Sequence, residues 1–120
     1  MVIKQKFITR QDLKDNRDRT YLFGDNLMEV GMGGQAAEMR YELNAIGIPT
    51  KKFPSTYKNA YFSDNDFEQL KPILDKIFDK IKQHNIIVIP EDGIGTGLAK
   101  LDKKAPKIFE YINQFLNSLE

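Results

Sequence analysis

A chain of 120 residues with 41% apolar and 29% charged residues supports one hydrophobic core, a single domain over residues 1–120. It has no cysteine and one histidine, which excludes disulfides, thiolate metal sites, cysteine nucleophiles and two-histidine metal motifs. A net charge of +1 argues against general nucleic-acid binding, and the absence of an 18-residue apolar run excludes a membrane-spanning helix.

The N-terminal segment, residues 2–7, alternates weakly and is expected as an edge strand. It lacks the apolar core of a signal peptide, which together with the lack of cysteine points to a cytoplasmic protein. Thr9 and Asp12 have capping-box spacing, so a short helix should run to about Asn16. Residues 20–23 form a β-prone run that Gly24 should end.

A glycine-rich loop follows, Gly31-Met-Gly-Gly-Gln-Ala-Ala, and passes into a helix suited to Ala36, Ala37, Met39, Arg40 and Leu43. Arg40 is expected on the helix surface, as is Gln35, although Gln35 lies close enough to the loop to touch a ligand. Residues 45–50 read as a buried strand closed by Lys51 and Lys52.

Asp64 or Asn65 should cap the next helix, with Glu68 three residues beyond Asn65. Phe67, Leu70, Ile73, Leu74, Ile77, Phe78 and Ile81 recur at helical spacing. Pro72 predicts a main helix starting near Lys71, with the proline at its first position. His84 follows that helix and suits its C-terminal dipole.

Residues 86–89 are four β-branched residues in a row, the strongest central-strand signal in the chain. Pro90 ends it. A second loop carries alternating glycines, Gly93, Gly95 and Gly97, and a last helix should begin near Pro106, with Ile108, Phe109, Ile112, Phe115, Leu116 and Leu119 on its apolar stripe. The β-α-β-α-β-α-β-α order predicts an α/β fold, a mixed, mostly parallel sheet with helices on both faces. In such sheets ligands sit at the carboxyl ends of the strands, where both glycine loops belong.

The chemistry follows from these loops. Glycine lets a backbone approach a ligand closely, and free N–H groups at a helix start favour anions such as a diphosphate. The first loop is neither a dinucleotide fingerprint nor a Walker loop, so kinases, P-loop ATPases and dehydrogenases are not supported. Asp25 and Asn26 suit either a local turn or contact with a base or ribose. Lys51 suits either a solvated lysine or one that meets a phosphate or acts as a nucleophile. Nothing in the residues calls for a metal or any other cofactor.

Four segments together resemble a macrodomain: Tyr21-Leu-Phe-Gly-Asp-Asn-Leu, Gly31-x-Gly-Gly-Gln-Ala, Ile48-Pro-Thr-Lys-Lys, and Ile89-Pro followed by Gly93-Ile-Gly-Thr-Gly-Leu. Their order and spacing are similar to the compact branch that includes the terminal ADP-ribose glycohydrolases and small phage or bacterial macro-like proteins. The resemblance spans about residues 20–115. It implies a three-layer α/β/α fold that binds an ADP-ribose-type nucleotide.

By position, the resemblance puts Asn26 near the distal ribose. Gly31, Gly33, Gly34 and Gln35 become the first ligand loop, and Gly93, Ile94, Gly95, Thr96, Gly97 and Leu98 the second. Lys51 falls where the glycohydrolases have a lysine that attacks the anomeric carbon. The aspartate that follows Gly-Leu in that branch is replaced by Ala99, so a hydrolase would need Asp25 or Asp92 as acid/base. Three activities are therefore expected as alternatives: nucleotide binding, ADP-ribosyl hydrolysis using Lys51, and a phage-type sponge that sequesters a nucleotide immune signal, burying it in a homo-oligomer.

Overall fold

The computed structural model describes all residues, Met1–Glu120. Four strands, β1 (Val2–Gln5), β2 (Thr20–Asn26), β3 (Ala45–Lys51) and β4 (Ile87–Pro90), form one sheet in the order β1-β4-β2-β3. Every pairing in it is parallel. β1 lies at an edge and β4 inside, as their sequences predict.

The strands alternate their side chains between two cores. Leu22, Ile48, Ile87 and Ile89 enter one, and Tyr21, Phe23 and Val88 the other. The larger core is closed by α3 (Phe67–Lys82), α4 (Leu101–Lys104) and α5 (Pro106–Ser118). The smaller is closed by α1 (Arg10–Asp15) and α2 (Ala36–Met39), through Leu13, Ala36 and Met39. Helices thus cover both faces of the sheet, and the continuous apolar run of β4 follows from burial on both sides.

Local signals explain most boundaries. The Asp12 N–H donates to Thr9 Oγ1 at 3.2 Å and the Thr9 N–H to Asp12 Oδ2 at 2.9 Å, a reciprocal cap for α1. The cap before α3 is one residue earlier than expected: Ser63 pairs with Asp66 and a single 3-10 turn, Asp64–Asp66, leads into the helix. Pro72 lies inside α3 rather than at its start. Its missing N–H leaves the Glu68 carbonyl unpaired in the helix, and both residues are exposed, so water can satisfy that oxygen. His84 is exposed just beyond α3.

Three expectations change at the site. β1 stops at Gln5, two residues before Phe7. β2 does not end at Gly24 but continues to Asn26, which lies opposite Lys51 after a register shift between Asp25 and Asn26. The helix after the first glycine loop is a single turn that ends at Met39, and Leu43 is 93% exposed. Arg40 leaves helical geometry (φ −59°, ψ 137°), drawn into a buried ion pair, and Tyr41 at φ 71° turns the chain away.

Candidate ligand-binding site

The parallel register places Gln5 beside Pro90 and Asn26 beside Lys51, so all four strands end on one edge. A cavity of about 770 Å³ opens along that edge, within the size range of small-molecule sites. Its lining contains Asp25, Asn26, Gly31, Gly33, Gly34, Gln35, Lys51, Asp92, Gly93, Ile94, Gly95, Thr96, Gly97 and Leu98. The residues singled out in the sequence therefore share one cavity.

Arg40 is not a surface residue. It is 6% exposed, and its guanidinium takes both oxygens of the buried Asp25 carboxylate, at 2.5 and 3.2 Å. Its Nε–H donates to Gly31 O at 2.7 Å, and an NH2 hydrogen reaches Val30 O at 3.3 Å. The fork thus ties the first glycine loop to the end of β2. Asp25 Oδ1 also accepts the Asn26 N–H at 2.8 Å. A carboxylate engaged this fully is a poor acid/base, so the Asp25 side chain has a positioning role.

Asn26 is likewise turned inward. Its Nδ2 donates to Val30 O at 2.8 Å and its Oδ1 accepts the Met28 N–H at 3.0 Å. This is the turn-forming alternative of the sequence reading. The Thr50 hydroxyl adds a bond to Asp25 O at 3.1 Å.

The second loop is anchored and open at once. Ile94 is 1% exposed and belongs to the larger core, so it holds the loop down rather than facing a ligand with its side chain. Gly95 has φ 92°, and a Cβ there would meet Leu101 side-chain atoms at 3.0 Å. Thr96 Oγ1 donates back to Asp92 O at 3.0 Å. Leu98 is 69% exposed, and its Cδ1 lies 3.7 Å from where a Cβ on Gly33 would sit. It reaches from the second loop to the first across the cavity.

The backbone N–H groups of residues 94–99 donate to no protein acceptor, nor do those of residues 30–35. Two runs of free donors therefore border one cavity. Consecutive N–H groups in loops of alternating hand form concavities that suit anions. The single turn of α2 adds little dipole to this, contrary to the longer helix expected from sequence.

Lys51 Nζ donates to Ser55 O at 2.5 Å and lies 4.7 Å from the centre of the Tyr61 ring. With the Asp25–Arg40 pair neutral as a unit, Lys6, Lys51 and Lys100 face Glu91 and Asp92 around the cavity. Gln35 lines the wall, and its Oε1 is buried without a donor. Lys6, Phe7, Tyr61 and Lys100 were not singled out by sequence reading, and neither was Arg40's inward direction. Each is brought in by folding, with no local signature.

Fold and site together define a parallel α/β protein with an anion-suited cleft at the carboxyl edge of its sheet. The chain belongs to a family of unknown function, DUF7831, whose model matches residues 3–115. No curated protein and no solved structure gives a significant match. No helix is long and apolar enough to cross a membrane.

Proposed function

We propose that this chain is a macrodomain-like module that binds an ADP-ribose-type nucleotide in the cavity at the sheet's carboxyl edge. The observation that carries this reading is the pair of free N–H runs, residues 30–35 and 94–99, bordering one cavity of about 770 Å³. A diphosphate bridging the two loops would accept from both. Lys51 supplies a cation at the β3 end of the same cavity.

The geometry supports binding better than hydrolysis. Ala99 stands where the glycohydrolase branch has its aspartate, and Asp25 is held by Arg40. Asp92 is then the carboxylate left from the sequence candidates to give the leaving oxygen a proton.

The test is a thermal-shift scan with ADP-ribose, NAD, cyclic ADP-ribose, ATP and cyclic dinucleotides. A ligand at about 100 times its Kd stabilises by about 2.7 kcal/mol, several degrees for a domain of this size. A selective shift with ADP-ribose or its cyclic forms is expected. A flat response across the panel refutes the proposal. Release of ribose products that disappears in Lys51→Ala, with ligand still bound, would establish the hydrolytic alternative.

A further inference from the structure

Phe7 is the feature that neither the fold nor the site so far explains. It follows β1, is 81% exposed, and joins neither core. Its backbone is at φ 56°, a left-handed conformation that bulky side chains rarely adopt. The turn itself has a purpose, because the next residue, Ile8, is 3% exposed in the smaller core. Glycine or asparagine would make that turn with less strain. The phenyl group is therefore unaccounted for by packing. It lines the cavity beside Gln5 and Lys6, and the Lys6 ammonium lies 5.5 Å from the ring centre.

We infer that Phe7 is an aromatic platform on which a nucleobase stacks, at the β1 end of the cavity. The turn serves the fold, but a phenyl kept at that strained, exposed position facing a cavity, where glycine or asparagine would turn the chain with less strain, points to a ligand contact for the ring. The sheet order adds a dimension. Phe7 follows β1 at one edge, the second glycine loop follows β4, the first follows β2, and Lys51 closes β3 at the other edge. Three strand spacings separate the ends, about 14 Å. A ligand with a flat base at one end, a diphosphate in the middle and a sugar at the other fits that sequence of features. Asp25 and Asn26, the sequence candidates for contact with a base or ribose, are engaged by Arg40 and the Val30 region, which leaves the ring to contact the base.

This assignment rests on the proposed nucleotide reading but concerns a separate end of the cavity. The experiment titrates native protein, Phe7→Ala and Phe7→Gly with adenosine, ribose 5-phosphate and ADP-ribose. Calorimetry gives affinities, and NMR follows the Phe7 ring protons. Both variants should fold, because the ring is outside both cores, and Phe7→Gly should melt at or above the native temperature.

Adenosine and ADP-ribose should shift the Phe7 ring protons upfield. Losing the ring should weaken ADP-ribose binding about tenfold and leave ribose 5-phosphate binding unchanged. If ADP-ribose binds native protein and Phe7→Ala equally, the platform is refuted while the nucleotide reading stands. If adenosine shifts the ring but ADP-ribose binds no more tightly than adenosine, the platform stands and the diphosphate reading falls. If none of the three compounds binds, both are refuted.

Discussion

Asp25 and Arg40, fifteen positions apart, form a two-point ion pair in which both side chains are 6% exposed. The pair joins the carboxyl end of β2 to the first glycine loop, because the same guanidinium holds the carbonyls of Gly31 and Val30. Removing one partner strands a buried charge on the other. Arg40→Ala and Asp25→Ala should each destabilise by about 3–5 kcal/mol in urea unfolding. The double variant should lose much less than the sum, since both changes remove one interaction. Additive losses would show that the pair does not act as a unit.

Two glycines should be intolerant for different reasons, and a third should not. A Cβ on Gly47 would lie 2.8 Å from Asp25 Cβ and Oδ2, so Gly47→Ala must displace the ion pair's carboxylate. Gly95→Ala meets both a positive φ and Leu101 at 3.0 Å. Each should destabilise by about 1–3 kcal/mol. Gly97 has nothing within 4 Å of its added Cβ and no positive φ, so Gly97→Ala should change stability by less than about 0.5 kcal/mol. Urea midpoints of the three variants give the ranking directly.

Stability should fall at both ends of the pH range. Hydrogen bonds from Arg10, then Arg17, hold Glu42 below its ordinary 4.5, and those from Tyr111 and Lys71 hold Asp75 below 3.8. A carboxylate depressed in the folded state contributes stability that is complete above its unfolded value and is lost as pH falls through the folded one. Acid unfolding should therefore set in below about pH 4.5, and Glu42→Gln should flatten that limb of a Tm–pH profile. Tyr111 is raised above 10.0, first by its hydrogen bond to Asp75. Its contribution is complete below that value and is lost as pH rises beyond it, so Tyr111→Phe should flatten the alkaline limb.

Lys51 provides the corresponding test at the ligand. A charge-assisted hydrogen bond to an anion contributes about 1.5–3 kcal/mol, so Lys51→Gln should weaken ADP-ribose binding about 10- to 100-fold. Added salt should then weaken binding less in the variant than in the native chain. Equal affinity in both proteins would place the diphosphate beyond the reach of the Lys51 side chain.

Much of the architecture is legible in the chain because its signals are local. The Thr9–Asp12 cap, the β-branched run that becomes β4, and the apolar stripes of α3 and α5 depend on spacings of a few residues. The same holds for the glycine loops, whose place at the carboxyl edge follows from a strand preceding each. Where the local reading fails, a distant contact decides. Gly24 carries β2 onward because Ile48 lies beside it in register, and the helix after the first loop ends where Arg40 turns toward Asp25.

The sequence alone determined the order of strands and helices, the edge position of β1, and the two loops that meet at one cleft. It could not determine which polar residues face that cleft. Asp25 and Arg40 point into each other, and the Asn26 amide turns to the backbone of Val30 and Met28, because burial leaves a charge or amide no water and each takes the partner that folding brings near. Phe7 faces the cavity because the chain must reverse there to bury Ile8. Those directions are set by contacts across the sheet edge, and they exist only once the strands have paired.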